Sequence, residues 1–490
     1  MKTVLAIDQS TSGTKALLFD GEGQLLGRQD LPHEQKVSSQ GWVSHDPLEI
    51  YRNILETVRL LLEKTGADRG SIGAVGISNQ RETALLWDRD TGLPVADAVV
   101  WQCARAADIC QRLADRGEAI QERTGLNLSP YFPAAKWAWL LENTPGLTGK
   151  NLCAGTIDAW LVYQLTGGRV FATDYSNASR TQLFNLRTLS WDSELCGWFR
   201  LDPAMLPEVR CSDSLFGETD FEGLLPHPVP IHGVLGDSHG ALFGQGCLFP
   251  GMVKATYGTG SSVMMHVGEK PVFSKKGLAT SLAWGMEGKV AYVLEGNINY
   301  TGAVIQWVVE ELGLLASSKE AGPVARSADP ADTTYLVPAF TGLGAPYWDS
   351  EAKAMLTGMS RTTGRAEIVK AAEECIAYQI ADVLALMGQE ADVSIQELRV
   401  DGGPTRDGFL MQFQSDMLRL PVAVPEREEL SGMGAAFCAG IAAGIYSRDI
   451  VQSVRRTRYS PQMEDALRQQ KQAGWKQAVE TLLTRPGKNV

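Results

Sequence analysis

The sequence predicts an α/β protein built from two duplicated units, each of which opens on a β-hairpin with a small polar tip. The first hairpin is "VLAIDQSTSGTKALLFD" at residues 4–20, and the second is "GMVKATYGTGSSVMMHVG" at residues 251–268. After each hairpin, short apolar runs alternate with segments of helical spacing. A chain of 490 residues is also too long for one compact core. We therefore expect two domains, at residues 1–246 and 247–490.

The elements of the first half follow from local signals. The stretch "LLGRQDLP" predicts a third strand after the hairpin. A helix is expected next, with Asp46 as its N-cap, Pro47 in its first turn and Gly66 as its stop. The apolar run "IGAVGIS" at residues 72–78 predicts a buried strand that enters a loop at "NQRET".

The second half repeats this alternation. The stretch "AYVLEGNINYTGAVIQWVVEELGL" predicts a strand that leads into a helix, and "LRVDGGPTRDGFLMQFQSDML" predicts a strand, a glycine turn and a helix. A helix of small residues is expected over "SGMGAAFCAGIAAGIY", and residues 485–490 are expected to fray.

Charge and composition exclude several classes of protein. The net charge of −12 argues against nucleic-acid binding, which needs a basic face. No window approaches 18 uninterrupted apolar residues, and the apolar run at the N-terminus stops at Asp8 without a signal-peptide cleavage site. The eight cysteines include no C-x-x-C pair and are interpreted as buried free thiols. We expect a soluble cytoplasmic protein without a membrane partner.

Small-residue turns are the candidate phosphate-binding sites, because no Walker A motif occurs. The turns "DQSTSGTK" (8–15) and "YGTGSS" (257–262) offer backbone N–H groups and hydroxyls, which bind anions well. One such hairpin is usually only a turn, but two, each after a predicted strand, favour phosphate binding. The turn "DGGPTRDG" (401–408) would let a nucleotide lie against bare backbone.

Acidic residues in unusual surroundings are the candidate catalytic groups. In "LGDSHGALFGQG", Asp237 lies between Gly236 and Gly240, which allow another backbone or a ligand to approach closely. This pattern fits either a turn or a reaction site. In "NQRETALLWD", Arg81 and Glu82 can serve one site only if the strand has ended, and the alternative is a structural ion pair.

Taken together, these segments resemble the FGGY family of carbohydrate kinases, and within it the members that phosphorylate glycerol. The resemblance also rests on further stretches that occur in the family's order, namely "GWVSHDP", "VVWQCARAADIC", "PYFPAAKWAWLLEN", "DYSNASRTQLFN" and "FTGLGAPYWD". It implies an actin/hexokinase-like (ribonuclease H-like) fold of two ATPase domains with ATP and the acceptor in a central cleft. The implied reaction is ATP-dependent phosphorylation of a primary hydroxyl of glycerol or a small polyol.

The resemblance also implies roles for individual residues. Asp237 matches the catalytic base, with its glycines leaving room for acceptor and phosphate, and Asp8 matches the aspartate that holds Mg²⁺. The residues matching the acceptor site are Arg81, Glu82, Trp101 and Tyr131. Those matching the ATP site are Thr11, Ser12, Gly13, Lys15, Thr259, Gly302, Gln306, Gly403 and Asp407.

The chain departs from the family pattern at several positions. Ser238 replaces a glutamine after the base, and Ser262 replaces an acceptor-site phenylalanine. These changes predict either a roomier pocket for a longer polyol or a pocket in which neighbours fill the space. Lys15 occupies a position at which these family members often have arginine. The lysine keeps the positive charge but cannot form the bidentate hydrogen bonds of a guanidinium group. The stretch "FEGLLPHPVPIHG" lacks the glycine- and lysine-rich loop that binds a sugar bisphosphate regulator in some members.

Two other functions remain open at this point. One is a kinase of the same family for a longer polyol or a ketose, such as erythritol, threitol, xylitol or xylulose, although "NQRET" and "PYF" favour the glycerol members. The other is a nucleotide-binding regulator without transfer chemistry, for which Asp237 would have no role. Family members are often dimers or tetramers, so a homodimer or homotetramer is expected.

Overall fold

A computed structural model describes residues 2–484, so the predicted fraying at 485–490 lies outside the described residues. The strands of the first half are, in order, β1 (Thr3–Gln9), β2 (Gly13–Phe19), β3 (Leu25–Pro32), β4 (Lys36–Val37), β5 (Val43–His45), β6 (Ile72–Asn79), β7 (Ala84–Asp88), β8 (Ala98–Val99), β9 (Leu152–Thr156), β10 (Ala172–Asp174), β11 (Phe184–Asn185), β12 (Ser190–Trp191), β13 (Glu208–Arg210), β14 (Glu218–Thr219) and β15 (Val229–Gly236). Those of the second half are β16 (Met252–Tyr257), β17 (Ser261–Gly268), β18 (Ala279–Met286), β19 (Lys289–Ile298), β20 (Tyr335–Val337), β21 (Met355–Thr357), β22 (Glu397–Asp401), β23 (Val422–Pro425) and β24 (Arg456–Tyr459).

The helices alternate with these strands along the chain. The first half contains α1 (Pro47–Thr65), α2 (Ala107–Arg112), α3 (Gly117–Thr124), α4 (Pro133–Asn143), α5 (Ile157–Leu165), α6 (Tyr175–Ala178), α7 (Ser193–Trp198) and α8 (Asp237–Gly244). The second half contains α9 (Gly302–Glu310), α10 (Ala321–Arg326), α11 (Arg365–Ala391), α12 (Gly408–Leu418), α13 (Leu430–Ala442) and α14 (Asp465–Leu482). Short 3₁₀ turns occur at Arg69–Ser71, Ala114–Arg116, Pro203–Met205, Ser318–Glu320, Gly403–Arg406 and Arg448–Gln452.

The two large sheets share one pairing pattern, which confirms the predicted duplication. The first has the order β14-β15-β6-β1-β2-β3, and the second has the order β18-β19-β17-β16-β22-β23-β24. In each, the opening hairpin is antiparallel, and its first strand runs parallel to a later strand, β6 in the first sheet and β22 in the second. The loops after the parallel strands therefore gather at one edge of each sheet, where ligands bind in open α/β sheets.

Local signals placed several elements correctly. The carboxylate of Asp46 accepts a hydrogen bond from the backbone N of Leu48 at 2.9 Å, and α1 begins at the next residue, Pro47. Gly66 ends this helix in the left-handed conformation, with φ of 61°. The third strand, predicted over residues 25–32, is β3.

Strand β1 is buried on both faces and shows how the halves join. Leu5 and Ile7 belong to the core of the first half, where they pack with α1 and α5. Val4 and Ala6, on the opposite face, belong to a cluster that also contains residues of α8, α13 and the second sheet. Because alternate residues of a strand point to opposite faces, this one strand contributes to the domain core and to the interdomain core.

Helix α13 comes from the second half of the sequence, yet it packs on the first sheet and on α8. Its contacts use bare backbone. A Cβ at Gly434 would lie 1.9 Å from the carbonyl oxygen of Gly240 in α8, and one at Gly76 in β6 would lie 2.4 Å from the carbonyl oxygen of Ala435. The small residues of "SGMGAAFCAG" therefore reflect close approach between helices and strands.

The described residues contain no helix that is long and apolar enough to cross a membrane. The cysteines, all of which are described, are free, and seven are buried while Cys211 is half-buried. The thiol prediction is thus confirmed apart from the partial exposure of Cys211.

We expect Gly434→Ala to destabilise the protein strongly. The added methyl group has no space against the α8 backbone, so α13 must move and about 3 kcal/mol or more of unfolding free energy should be lost. Gly197 is a matched control, because it is helical and exposed and a Cβ there meets nothing within 4 Å. Gly197→Ala should change stability by no more than about 1 kcal/mol. Equal effects of the two substitutions in urea unfolding would contradict the packing described here.

Candidate active site

The carboxylate of Asp237 is the first side chain of α8, directly after strand β15. Its Oδ1 accepts hydrogen bonds from Nε of Arg81 at 3.0 Å and from the backbone N of Ser238 at 2.6 Å. The side chain remains 36% exposed, while that of Arg81 is only 6% exposed. Asp237 is therefore a fixed acid that still faces solvent.

The glycines beside this acid allow close packing. A Cβ at Gly236 would lie 2.6 Å from Cγ of Arg81, and one at Gly240 would lie 2.8 Å from the carbonyl oxygen of Ser431 in α13. The space next to Asp237 is thus taken by Arg81 and by the α13 backbone. The alternative of a close backbone approach thus describes Gly240, while Gly236 makes room for the side chain of Arg81. That the glycines leave room for acceptor and phosphate stays a prediction.

Arg81 is itself held by a carboxylate from the second half of the chain. Its Nη1 and Nη2 lie 3.0 Å from Oε2 and Oε1 of Glu295 on β19, so the pair is bidentate. Nη2 also donates to Oγ of Ser238 at 3.1 Å. One guanidinium group therefore contacts the candidate base, the serine after it and a carboxylate across the domain junction.

Glu295 connects three side chains. Besides Arg81, its Oε2 lies 2.9 Å from Nη1 of Arg180, and its Oε1 accepts a hydrogen bond from Oγ of Ser262 at 3.0 Å. Arg180 in turn donates from Nε to Oε1 of Glu82 at 2.6 Å. We call Arg81, Glu82, Arg180 and Glu295 the charge network. Ser262 and Ser238 both attach to it through their hydroxyls.

The charge network is buried and nearly dry. Burial alone would raise the pKa of Glu295, but Arg180 and Arg81 outweigh burial and hold that pKa well below its usual range. Burial would likewise lower the pKa of Arg81, and the surrounding carboxylates instead raise it well above its usual value. The pKa of Arg180 is raised as well, against burial and chiefly by Glu295, so the two arginines and Glu295 hold one another in their charged forms.

Strand β6 ends at Asn79, which meets the condition for Arg81 and Glu82 to serve one region. Glu82 has φ of 60°, so the backbone turns through the left-handed region and both side chains enter the same network. Nε of Arg81 lies 4.0 Å from Oε1 of Glu82. The sequence left open whether this pair serves one site or is a structural ion pair. It belongs to the charge network, and Arg81 also contacts the candidate base.

A buried lysine fixes the backbone around the predicted acceptor residues. Lys136 in α4 donates from Nζ to the carbonyl oxygen of Glu82 at 2.9 Å and to that of Tyr131 at 2.5 Å. Burial lowers the pKa of Lys136 from 10.5 to about 7. The ring of Tyr131 meets that of Trp101 edge to face, with centroids 5.6 Å apart. These two rings form an aromatic wall next to Glu82.

The first phosphate-type turn lies next to this wall. Nε1 of Trp101 donates to Oγ1 of Thr11 at 2.9 Å, which joins a predicted acceptor residue to a predicted ATP residue. Ser12 and Gly13 follow at the tip of the hairpin, and Ser12 is exposed. The first hairpin therefore brings the two predicted subsites into contact.

Asp8 and Lys15 face each other across the first hairpin. Oδ2 of Asp8 is 3.7 Å from Nζ of Lys15, which donates to Oε2 of Glu429 at 2.9 Å. Oδ1 of Asp8 is buried and has no hydrogen-bond partner, and burial raises the pKa of Asp8 to about 6. An unpartnered buried carboxylate oxygen fits a cation. No cluster of three or more metal-binding side chains occurs among the described residues, so other ligands to a Mg²⁺ ion would be phosphate oxygens and water.

The second turn and the glycine turn form the remaining predicted ATP subsites. The backbone N of Gly302 donates to the carbonyl oxygen of Gly258, next to the exposed Thr259. A Cβ at Gly302 would also lie 3.6 Å from Pro404, so the turn at Gly403 is close by. These turns come together at the edge of the second sheet.

Gln306 and Asp407 lie at the margin of this group. Gln306 is exposed on α9 and donates to Glu310, and Asp407 caps α12 by accepting from the backbone N of Phe409 at 2.7 Å. Within residues 2–484, no hydrogen bond joins either of them to the charge network.

Two family models match the chain. The model of the FGGY N-terminal domain matches residues 3–244, and the model of the FGGY C-terminal domain matches residues 253–443. The chain belongs to the FGGY family of carbohydrate kinases.

Curated relatives and solved structures agree with this assignment. This FGGY kinase is 47% identical to glycerol kinase 1 of Thermotoga maritima, over 98% of its own length and 99% of that protein. It is 44% identical to a glycerol kinase of Caldanaerobacter subterraneus, over 98% of each chain. The structure of Plasmodium falciparum glycerol kinase with ADP matches with a TM-score of 0.93 and 34% identity, over 99% of both chains. A xylulose kinase from Lactobacillus acidophilus shares the fold, with a TM-score of 0.88 at 21% identity over 98% of each chain.

Four residues of this FGGY kinase were missed at the level of sequence, namely Glu295, Arg180, Lys136 and Glu429. Two of them carried a signal. Glu295 interrupts the apolar strand "AYVLEGNI", and Lys136 interrupts the apolar helix "PAAKWAWLL". A charged residue in a buried run needs a partner. The sequence does not reveal which partner, because Glu295 and Arg81 are far apart along the chain.

We expect Lys136→Met to release the backbone that positions the aromatic wall and to destabilise the fold. Two buried carbonyl oxygens lose their donor, so about 2–4 kcal/mol of unfolding free energy should be lost at neutral pH. Lys476→Met, on the exposed surface of α14, is the matched control and should change stability by less than about 0.5 kcal/mol.

The pH dependence gives a second readout for Lys136. With a folded pKa of about 7 and an unfolded value near 10.5, the native state binds fewer protons than the unfolded state between these values. The stability of the wild type relative to Lys136→Met should therefore increase as pH rises from about 7 to about 10. A difference that stays constant over this window would show that Lys136 titrates normally.

Proposed function

We propose that this FGGY kinase transfers the γ-phosphoryl group of ATP to a primary hydroxyl of glycerol, giving glycerol 3-phosphate and ADP. The relatives that support this proposal are named glycerol kinases and match over nearly their whole length. The observation that carries it is Asp237, an exposed carboxylate oriented by a buried arginine at the junction of the two halves.

In this proposal Asp237 accepts the proton of the acceptor hydroxyl while that oxygen attacks the γ-phosphorus and the bond to the β-phosphate oxygen breaks. Phosphoryl transfer depends mainly on alignment and on neutralising charge, so an oriented carboxylate is sufficient as the base. The hydrogen bond from Arg81 fixes the carboxylate, and Glu295 keeps Arg81 in place.

We propose that the acceptor lies between the charge network and the aromatic wall. Glu82 would accept from a hydroxyl, and Trp101 with Tyr131 would cover the carbon chain. The hydroxyl of Ser238 accepts a hydrogen bond from Arg81, and that of Ser262 donates one to Glu295. The two short side chains are therefore packed against the charge network. This arrangement supports the alternative in which neighbours fill the pocket, and it favours a small acceptor.

We assign ATP to the turns at the edges of the two sheets. The first hairpin would hold the β- and γ-phosphates with backbone N–H groups and with Lys15. The other residues that we assign to phosphate and nucleotide binding are Thr11, Ser12, Gly13, Thr259, Gly302, Gln306, Gly403 and Asp407. We divide the chain accordingly into an acceptor unit at 1–246 and a nucleotide unit at 247–490.

Asp8 is the residue that we assign to Mg²⁺. When bound, the ion would neutralise charge on the phosphate oxygens. The unpartnered Oδ1 of Asp8 supports this assignment, and the neighbouring Lys15 supplies a fixed positive charge next to the same turn.

Asp237→Asn should reduce the turnover number by about 10²–10⁴-fold, because the amide cannot accept the proton. ATP affinity should change less than about threefold, since no assigned ATP residue contacts Asp237. Asp108→Asn, at an exposed position of α2, is the control and should retain full activity. An equal loss of ATP affinity in Asp237→Asn would assign the residue to nucleotide binding instead.

The acceptor is tested by measuring ADP release with Mg²⁺-ATP and glycerol, erythritol, threitol, xylitol or xylulose. We expect kcat/KM to be at least tenfold higher for glycerol, which corresponds to about 1.4 kcal/mol of discrimination in the transition state. Preference for a longer acceptor would identify Ser238 and Ser262 as specificity determinants. Absence of turnover with every acceptor would contradict the proposed reaction.

A further inference from the structure

A cavity of about 990 Å³ lies at the C-terminal end of α8, lined by that helix, the second sheet and the 3₁₀ turn after α13. One wall is apolar and includes Phe243, Met252 and Trp284, whereas another contains Arg399 and Arg456. We call this space the distal cavity. Its volume is in the range of small-molecule sites.

The distal cavity has an excess of positive charge on one side. On this side the cavity is lined by three guanidinium groups, those of Arg399, Arg456 and Arg458. Glu397 on β22 forms ion pairs with two of them. Nε of Arg399 lies 2.9 Å from one oxygen of Glu397, and Nη2 of Arg458 lies 3.1 Å from the other. Three positive charges against one negative charge leave an excess of two.

Among residues 2–484, Arg456 forms no ion pair with a carboxylate. It donates to the carbonyl oxygens of Val454 at 2.8 Å and Gln245 at 2.7 Å, while its Nε is buried and has no hydrogen-bond partner. Burial, followed by repulsion from Arg399, lowers the pKa of Arg456 to about 10. A half-buried guanidinium that lines a cavity and has only carbonyl oxygens as partners is suited to an anionic oxygen.

The acidic residues of the distal cavity lie elsewhere on its rim. Glu269 follows β17 and Glu287 follows β18. In the sheet order, β16 lies between β17 and β22, the strand that carries Arg399. Glu287 is paired with the exposed Arg448, and Lys289 is also on that side. Asp449 belongs to the 3₁₀ turn beyond α13. Positive charge is therefore concentrated at β22 and β24, where three arginines line the cavity.

The apolar wall indicates the rest of the ligand. Phe243 and Trp284 meet edge to face with centroids 5.3 Å apart, and Phe249 on the rim is 67% exposed. Exposed aromatic side chains beside a cavity are typical of binding sites. An occupant would thus place an apolar group against these rings.

We propose that the distal cavity binds a small phosphate monoester that carries an apolar or aromatic group. A phosphate monoester has a charge of about −1.5 to −2 at neutral pH, which matches the local excess of two better than a carboxylate does. Arginine also matches phosphate oxygens in a planar, bidentate manner. The phosphate would contact Arg456 and Arg458, and the apolar group would contact Phe243 and Phe249.

The position of the distal cavity gives such a ligand access to the helix of the candidate base. Helix α8 begins at Asp237 and reaches the cavity at Phe243, a rise of about 9 Å for six residues. The carbonyl oxygen of Gln245, which follows this helix, accepts hydrogen bonds from both Arg399 and Arg456. An anion at the arginines would compete for donors that now hold the end of α8.

The test is calorimetric titration of the full chain with phenyl phosphate, with and without a saturating non-hydrolysable ATP analogue and glycerol. We expect one site per chain that persists when the ATP analogue is present. Arg456→Gln and Arg458→Gln should each weaken binding at least tenfold. Arg458 is 64% exposed, so its substitution is not expected to disturb folding. Inorganic phosphate should bind at least tenfold more weakly than phenyl phosphate, since it has no apolar group.

Arg419→Gln is the matched control, because Arg419 is an exposed arginine paired with Asp465 outside the distal cavity. Its affinity for phenyl phosphate should equal that of the wild type. Three results would overturn the proposal, namely no saturable binding, unchanged affinity in both cavity variants, or displacement of phenyl phosphate by the ATP analogue. None of these results depends on the identity of the phosphoryl acceptor. The proposal for the distal cavity is therefore tested independently of the proposed kinase reaction.

Discussion

The buried carboxylate of Glu295 is the group on which the charge network and the proposed acceptor site depend. Two arginines from the first half, Arg81 and Arg180, are almost completely enclosed and both require its negative charge. Removing one partner of such a network leaves an uncompensated buried charge, which is far more costly than losing an exposed ion pair. Because Glu295 belongs to the second half, the orientation of Arg81 and of Asp237 is complete only when both halves are in contact.

The same junction is built by small residues as well as by charge. Helix α13 leaves the second half and packs its backbone against α8 and β6, so Asp237 stands at the start of a helix that both halves hold. Bare backbone contact needs glycine or alanine at each position of close approach. This explains Gly240 in the stretch after the proposed base, which packs on the backbone of α13.

Short-range features of the site were predictable, and its long-range partners were not. The hairpin turns, the strand that ends before Arg81 and the position of the proposed base after β15 follow from local patterns and from the family resemblance. Glu295 and Lys136 are visible in the sequence only as charges inside apolar runs. Their partners depend on strand register and on the contact between halves, which no local pattern encodes. Close approach at Gly240 was one of the two predictions, but its partner was not foreseen, since α13 is almost 200 residues away.

The most direct test of this account is a double-mutant cycle between Arg180 and Glu295, measured by urea unfolding of Arg180→Gln, Glu295→Gln and the double variant. If the charge network acts as one unit, each single change should cost about 3–5 kcal/mol, because it leaves a buried charge unpaired. The double change should then cost less than the sum by at least about 1.5 kcal/mol. Costs that add within about 0.5 kcal/mol would show two independent residues, and would contradict the central role given to Glu295.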